Sequence, residues 1–143
     1  TGFKNRALAY LLKAHGLFKD AVEDVLECYF RACSIRVCSR DLAYIGMALA
    51  NHGRKFKTEE RFFPAEYARF VNAVLMICGM YDGSGEFAVR VGVPAKSGVG
   101  GGIMAVAPTR MGIYSPALDE KGNSIAGIQA LERLSRRMYL SIF

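Results

Sequence analysis

Apolar residues along the first eighty positions recur at intervals of three and four, the spacing of amphipathic helices. This pattern predicts a first helix over about residues 5–15, which Gly16 ends. Asp20 is a suitable N-cap for a second helix, because its carboxylate can accept hydrogen bonds from the first-turn N–H groups. A third helix is predicted to open at Ser39 or Arg40.

A fourth helix is predicted to begin near Pro64, since proline is favoured in the first helical turn. After Gly79 the period changes from helical to two. Residues Glu86 to Val91 alternate apolar and polar, as in a half-buried strand. The apolar run Ile103 to Ala107 and the segment Met111 to Ser115 are predicted as two further strands.

The last segment of the chain is predicted to be helical. A turn at Pro108 to Arg110 joins the two later strands, and Asn123 or Ser124 caps the final helix. The order is helices, then an apparently antiparallel sheet, then a C-terminal helix. This segregation predicts an α+β fold, because the alternation of strand and helix that marks a parallel sheet is absent.

The composition is that of a folded globular protein, with 143 residues, 52% of them hydrophobic. The length suits one domain or a large piece of a bigger one. Apolar runs are short of the roughly 18–20 residues that a membrane-spanning helix needs, so we expect no membrane partner. The formal charge of +6 is spread among acids, which favours a solvated basic face over a nucleic-acid surface. Its two clusters are Arg54, Lys55, Lys57, Arg61 and Arg133, Arg136, Arg137.

The four cysteines could form two disulfides in a secreted protein, but the sequence favours free thiols. Cys28 and Cys33 lie in an apolar helical pattern, where cysteine behaves as a small buried hydrophobe. The thiol spacings do not suit a shared metal, and no motif for a metal, nucleotide or other cofactor occurs. We see no signal peptide and expect a cytoplasmic protein that binds neither a metal nor a cofactor.

Glycines are dense from Gly79 to Gly102, where they could form a hairpin that merely turns or bring backbone N–H groups close to a ligand. Within this segment, Lys96-Ser97-Gly98 resembles the Lys-Thr-Gly element of β-lactamases and penicillin-binding proteins. Three longer motifs lie before, around and after this tripeptide: Cys78-Gly-Met-Tyr-Asp-x-Ser-Gly-x-Phe-Ala88, Val91-Gly-x-Pro-Ala-Lys-Ser-Gly-Val-x-Gly-Gly-Ile103 and Ser115-Pro-x-Leu-Asp-x-x-Gly-Asn-Ser-x-x-Gly127. Together they resemble the glutaminase family, which shares the fold of the serine β-lactamases.

The resemblance implies a hydrolase that converts L-glutamine to L-glutamate and ammonia through a serine acyl-enzyme. Asn5 then corresponds to the residue that holds the amino-acid end of glutamine, and Tyr29 to a substrate-contacting tyrosine. Tyr81 corresponds to the tyrosine that assists proton transfer, and Val99 to the residue whose backbone N–H helps form the oxyanion hole. The residues alone would also allow Asn5 as a helix cap and Tyr29 as a core aromatic.

The chain contains no Ser-x-x-Lys, and its nearest string is Thr1-Gly-Phe-Lys4. The resemblance places the nucleophile and its lysine before residue 1. Residues 1–143 are therefore expected to be the C-terminal portion of a single catalytic domain, inactive alone, with a helical part over about 1–80 and the strands plus terminal helix over about 81–143. Unprotected outer strands suggest a homo-oligomer. Two alternatives are a non-catalytic amino-acid or protein-binding module and, less favoured, a β-lactamase or transpeptidase.

Overall fold

The computed structural model describes residues 2–109 and 111–143. The chain separates into two compact units, Thr1–Arg36 and Val37–Phe143. The described residues combine helices with an antiparallel sheet, so the predicted α+β class is confirmed.

The first unit is a pair of helices, α1 (Phe3–Ala14) and α2 (Val22–Cys33). Its small core joins Ala9 of α1 to residues of α2 and of the loop between them, namely Val22, Leu26, Phe18 and Phe30. Gly16 follows α1 with φ +72°, which agrees with its predicted role as a helix stop. The predicted cap at Asp20 is wrong. Ala21 is the capping residue, in an extended conformation without a side-chain hydrogen bond, because the helix begins one residue later than an Asp20 cap requires.

The second unit carries the remaining elements. In chain order they are α3 (Ser39–Ala50), α4 (Ala65–Cys78), a short 3-10 helix (Tyr81–Gly83), α5 (Ser84–Arg90), β1 (Ala95–Ser97), β2 (Gly102–Ala105), β3 (Met111–Tyr114) and α6 (Ile125–Met138). Helix α3 opens where the sequence predicted. Pro64 is the residue just before α4, one position outside the first turn in which it was expected.

The strand predicted over residues 86–91 is wrong, because residues 86–90 belong to helix α5 and Val91 is the residue that follows it. Phe87 and Val91 are buried, 3% and 1% exposed, whereas Val89 is 89% exposed. The alternation of apolar and polar residues suggested a strand with Phe87, Val89 and Val91 on one face. Phe87 and Val91 are also four residues apart, however, which places them on one face of a helix and leaves Val89 outside it. The apolar contact of this segment with the core is therefore made by one residue of the helix and the residue that follows it.

The sheet has three strands in the order β1-β2-β3, and both pairs are antiparallel. Strand β1 was not predicted, because three residues between a proline and a glycine are too short to show a period. Strand β2 begins at Gly102 and ends two residues before the predicted Ala107. Part of the turn predicted at Pro108 to Arg110 lies outside the described residues.

The main core lies between the sheet, α5 and α6, and its fully buried members include Met80, Ile103 and Leu131. Helix α3 packs on β2 and β3 at very close range. A Cβ on Gly46 would collide with the carbonyl oxygen of Ala105, and one on Gly112 would collide with the carbonyl oxygen of Ser39. Glycine at these two positions allows the helix to rest directly on the strands.

Cysteines 28, 33, 38 and 78 are all free and exposed, so the predicted burial of Cys28 and Cys33 is wrong. The buried face of α2 is formed by Val22 and Leu26, with Phe30 packed beside them at the same helical spacing. Cys28 lies on another side of the helix, whereas Cys33 is the last residue of α2 and is exposed although its spacing places it near the buried face. Over the described residues no helix combines the length and the apolar character needed to cross a membrane.

Candidate active site

Tyr81 opens the short 3-10 helix between α4 and α5 in an unusual backbone conformation, with φ +51°. A left-handed conformation is uncommon for a bulky residue and requires support from its surroundings. Ser84 provides part of that support: its Oγ accepts a hydrogen bond from Met80 N at 3.0 Å and donates one to Tyr81 O at 2.8 Å. The buried Asn123 side chain donates from Nδ2 to Met80 O at 3.0 Å. The backbone around Tyr81 is thereby fixed from two sides.

The position of Tyr81 beside the sheet depends on Gly79, where α4 ends against β1. A Cβ on Gly79 would collide with the carbonyl oxygen of Ala95, so only glycine allows this approach. Ser97 N donates to Gly79 O at 3.0 Å and fastens the helix end to the strand. The chain leaves α4 directly alongside β1, and Tyr81 comes to lie next to Lys96.

Lys96 points away from the core on the exposed face of β1, whereas its neighbours Ala95 and Ser97 are buried. Its Nζ lies 4.7 Å from the centroid of the Tyr81 ring, within cation–π distance. Nζ also donates a hydrogen bond to the Ser97 carbonyl oxygen. Partial burial of the ammonium lowers the pKa of Lys96, and the nearby Cys78 thiol partly opposes that shift. Ser97 Oγ is buried without a hydrogen-bond partner among the described residues.

Val99 occupies the second position of a tight turn that follows β1. Gly101 N donates to Gly98 O at 2.9 Å, and Gly98 N donates to Gly102 O at 2.9 Å. These bonds close the turn without using the Val99 N–H, and the Val99 side chain is 72% exposed. The turn can therefore present this N–H to an oxyanion.

Tyr81 and Val99 meet at Gly122. A Cβ on Gly122 would lie 3.8 Å from Tyr81 Cε2 and 3.9 Å from a Val99 methyl carbon. Gly122 has φ +87° and lies in a loop that Asp119 shapes, since Asp119 Oδ1 accepts from Asn123 N at 2.8 Å. The structure thus brings the predicted proton-transfer tyrosine and the predicted oxyanion-hole residue to one place.

Asn5 and Tyr29 belong to the first unit, where both line a groove of about 250 Å³ between α1 and α2. Gly2 is the capping residue of α1, so Asn5 is not the helix cap that the sequence also allowed. Tyr29 is 50% exposed, with its ring edge-on to Phe30 at 6.0 Å between centroids. A core position for Tyr29 is therefore excluded. The four predicted site residues form two pairs, one in each unit.

Sequence reasoning missed three residues that shape the site: Ser84, Gly122 and Asn123. Asn123 was considered only as a helix cap, but Ser124 performs that role by accepting a hydrogen bond from Gly127 N at 3.2 Å. Asn123 and Met80 are 43 positions apart, and no local pattern reports so distant a hydrogen bond. The sequence did contain one indication of Gly122, namely its place in the Gly-Asn-Ser motif that resembles the family.

The chemistry available in the second unit is a phenol, an ammonium group over its ring, and a backbone N–H on an exposed turn. Residues 2–109 and 111–143 contain no group of three His, Cys, Asp or Glu side chains placed to hold a metal ion. A phenol and a backbone N–H that the turn's own hydrogen bonds do not use suit proton transfer and oxyanion stabilisation, which are steps of acyl transfer.

Known proteins with the same sequence pattern and fold identify the family. The Glutaminase family pattern matches residues 1–143. A glutaminase of Clostridioides difficile (strain 630) is 57% identical, covering 100% of this chain and 47% of that protein. A solved Bacillus glutaminase superposes with a TM-score of 0.94 at 43% identity, covering 100% of this chain and 50% of the other.

Another solved structure is a Bacillus subtilis glutaminase in covalent complex with 5-oxo-L-norleucine, formed by reaction with 6-diazo-5-oxo-L-norleucine. It has a TM-score of 0.95 at 42% identity and covers 100% of this chain and 52% of the other. The chain spans about half the length of the curated relatives it matches. With the family pattern matched from end to end, the chain belongs to the glutaminase family.

Proposed function

We propose that the protein containing this chain hydrolyses L-glutamine to L-glutamate and ammonia through a serine acyl-enzyme. Family membership supports this activity, and so does the covalent complex that a 42%-identical relative forms with 5-oxo-L-norleucine. The structural observation that supports the proposal is that the Tyr81 ring and the Val99 side chain both lie within 4 Å of the Cβ position of Gly122. A nucleophile placed beside them would have both a proton-transfer group and an oxyanion donor within reach.

Each residue has a distinct part in the proposed reaction. Tyr81 relays the proton between the nucleophile and the departing ammonia, and it also contacts the substrate. The Val99 N–H donates to the oxyanion of the tetrahedral intermediate. Asn5 and Tyr29 are assigned to the amino-acid end of glutamine, and both line the same groove, where Tyr29 is half exposed.

The serine and lysine are proposed to come from a part of the protein that the 143 residues do not include, since no Ser-x-x-Lys occurs in them. We infer that residues 1–143 form the C-terminal portion of a single catalytic domain, with a helical part over about 1–80 and a strand-bearing part over about 81–143. We also infer a cytoplasmic homo-oligomer. The four free thiols support a reducing compartment, and the outer strands of the sheet support association.

The experiment replaces Val99 in the complete protein. In Val99→Pro the backbone N–H is lost, and proline is favoured at the second position of such a turn, so the local fold is retained. The expected result is a fall in kcat of roughly 100-fold or more, the scale of losing one oxyanion donor. Val99→Ala is the matched control, because it shortens the exposed side chain and keeps the N–H. Full activity in Val99→Pro would contradict the proposed role of this N–H.

The absence of Ser-x-x-Lys from the 143 residues favours a second candidate, a non-catalytic module that binds an amino acid or a protein. Calorimetry with L-glutamine, run beside an ammonia assay on the complete protein, separates the two. Heat of binding without ammonia release would support the module, and ammonia release supports the hydrolase.

A further inference from the structure

We propose that Asn123 is a positioning residue for Tyr81. Its side-chain amide fixes the turn of residues 80–84, which carries the phenol, against the loop of residues 119–123, and so sets where the phenol lies relative to Val99. This inference rests on the proposed glutamine hydrolysis. Asn123 is 1% exposed, so its amide is closed to a substrate and acts through Tyr81.

The shape of the 80–84 turn is set by local hydrogen bonds. Ser84 Oγ bonds to Met80 N and Tyr81 O, and Gly83 N donates to Met80 O at 3.0 Å. These bonds join residues no more than four positions apart, so they hold the shape of the turn and leave its place in the fold open. Contacts from outside the turn must therefore decide where the Tyr81 phenol lies.

Hydrogen bonds from outside fix the turn on two sides. On one side Ser97 N donates to Gly79 O at 3.0 Å and holds the end of α4 on β1. On the other side Asn123 Nδ2 donates to Met80 O at 3.0 Å. Met80 O accepts from both Gly83 N and Asn123, which occupies both lone pairs of this carbonyl oxygen. Since Met80 O keeps one partner without Asn123, loss of the amide should displace the turn and leave no carbonyl unpaired.

The 119–123 loop is a rigid base for the Asn123 amide. Asp119 Oδ1 accepts from Lys121 N at 3.0 Å and from Asn123 N at 2.8 Å, and Gly122 N donates to Asp119 O at 3.0 Å. The loop ends at Ser124, a buried residue that caps α6. The shape of the loop is therefore set by its own hydrogen bonds and its place by α6, and neither depends on Tyr81.

The loop also packs against both parts of the proposed site. A Cβ on Gly83 would lie 3.2 Å from Asn123 Nδ2, so loop and turn are in close contact. The Cβ position of Gly122 lies 3.8 Å from the Tyr81 ring and 3.9 Å from a Val99 methyl carbon. Displacing the 80–84 turn from this loop would therefore change the distance between the phenol and the Val99 turn. A misplacement of about 1 Å can lower a rate about 100-fold.

Asn72 provides a matched control. Its Nδ2 donates to the Leu49 carbonyl oxygen at 3.3 Å. Its Oδ1, like that of Asn123, is buried without a hydrogen-bond partner in the part of the chain that the structure describes. Asn123→Ala and Asn72→Ala each remove an amide that donates to a backbone carbonyl. Only Asn123→Ala frees the turn that carries Tyr81.

A second pair of variants perturbs the same contact without removing a hydrogen-bonding group. Gly83 has φ −92°, a negative value open to alanine, and its Cβ would press on the Asn123 amide at 3.2 Å. Gly85, two residues later, has nothing within 4 Å of its Cβ position, so Gly85→Ala is the control. Gly83→Ala tests the proposal even if Asn123→Ala does not fold.

The first measurement reports on the ring itself and does not require activity. The complete protein is labelled with 3-fluorotyrosine, and the fluorine signal of Tyr81 is assigned by its loss in Tyr81→Phe. We expect this signal to shift in Asn123→Ala and Gly83→Ala and to stay unchanged in Asn72→Ala and Gly85→Ala. An unchanged Tyr81 signal in the first two variants would overturn the proposal, because the surroundings of the ring would not depend on this contact.

The second measurement is a kinetic cycle with L-glutamine. Asn123→Ala is expected to lower kcat about tenfold and to change KM less than about twofold, because a displaced proton-transfer group weakens the transition state more than substrate binding. Gly83→Ala should lower kcat by a smaller factor, while Asn72→Ala and Gly85→Ala should keep kcat within about twofold. In a Tyr81→Phe background, Asn123→Ala should cause no further loss.

An equal loss in both backgrounds would overturn the proposal, because Asn123 would then act independently of the Tyr81 hydroxyl. An equal fall in kcat in Asn72→Ala would contradict it as well, since the loss would then follow from removing any such amide. If the unaltered protein releases no ammonia, the proposed hydrolysis fails, and the fluorine signal still decides whether Asn123 positions the ring.

Discussion

Gly79 and Gly85 lie six residues apart in the sequence, but only Gly79 is so tightly packed that a side chain would not fit. A Cβ on Gly79 would collide with two carbonyl oxygens, those of Ala95 and Leu75, whereas a Cβ on Gly85 would meet nothing within 4 Å. Gly85 also lies inside α5, where alanine is a better helix former than glycine. The same substitution at these two positions should therefore act in opposite directions.

Gly79→Ala is expected to lower the free energy of unfolding by at least about 1–3 kcal/mol, the usual cost of overpacking. Gly85→Ala is expected to raise it by up to about 1 kcal/mol. Urea unfolding of the two variants beside the unaltered protein measures both effects. Equal stability of Gly79→Ala and the unaltered protein would show that α4 and β1 can separate at no cost.

Single site residues could be predicted from the sequence where a short sequence motif contains them. The Lys-Ser-Gly element and the glycines that follow pointed to Val99, which the structure places on an exposed turn beside Tyr81. The supports of Tyr81 could not be predicted, because Asn123 reaches Met80 across the fold. The approach of Lys96 to the Tyr81 ring likewise depends on how α4 meets β1.

Helices α5 and α6 are joined by a chain of charged side chains. Arg90 on α5 donates to Glu132 on α6 at 2.7 Å and to Glu86 on its own helix at 3.0 Å. Glu132 also accepts from Arg136 at 2.7 Å. The hydrogen bonds from Arg90 lower the pKa of Glu132, and the neighbouring arginine charges add to this effect.

The stabilisation from Glu132 should depend on pH in a defined direction. Because its folded-state pKa is below the ordinary value of 4.5, the carboxylate stabilises the fold fully above that value. The stabilisation is lost as the pH falls through the lower folded-state pKa. Glu132→Gln should therefore be less stable than the unaltered protein at pH 7, and the difference should shrink below about pH 4.

Urea midpoints at neutral and acidic pH test this prediction, with Glu120→Gln as a control on an exposed glutamate outside the described ion pairs. A Glu132→Gln deficit that persists undiminished at acidic pH would contradict it. The source of the deficit would then be the shape of the side chain and not its charge.

The long helices and two of the three strands were predicted from the sequence. Long helices repeat their period several times, so α1 to α4 and α6 were visible, with end errors of one or two residues. Helix α5 has seven residues, and the apolar residues Phe87 in it and Val91 just after it, both buried, fit either period. Tertiary burial of Phe87 and Val91, and not the local pattern, decides its conformation.

The whole chain leaves large apolar side chains exposed. On α4, Phe70 is 70% and Ile77 is 76% exposed, and β1 and β3 each have one side without a partner strand in the described sheet. Such faces and edges favour association. The isolated 143-residue polypeptide is therefore expected to self-associate at micromolar concentration.

Light scattering coupled to gel filtration measures this directly. Phe70→Glu and Ile77→Glu introduce charge on the exposed face of α4 and are expected to lower the associated fraction. A monodisperse monomer that unfolds cooperatively would contradict the prediction and would show that these 143 residues form a self-sufficient domain.

In the proposed hydrolysis of L-glutamine, Tyr81 transfers a proton. The most direct test compares ammonia release by the complete protein and by its Tyr81→Phe variant. Removing a proton-transfer group should lower kcat roughly 100-fold or more and change KM little, because the group acts mainly in the transition state. A variant with unchanged kcat and a raised KM would contradict proton transfer by Tyr81 and would leave Tyr81 as a binding residue only.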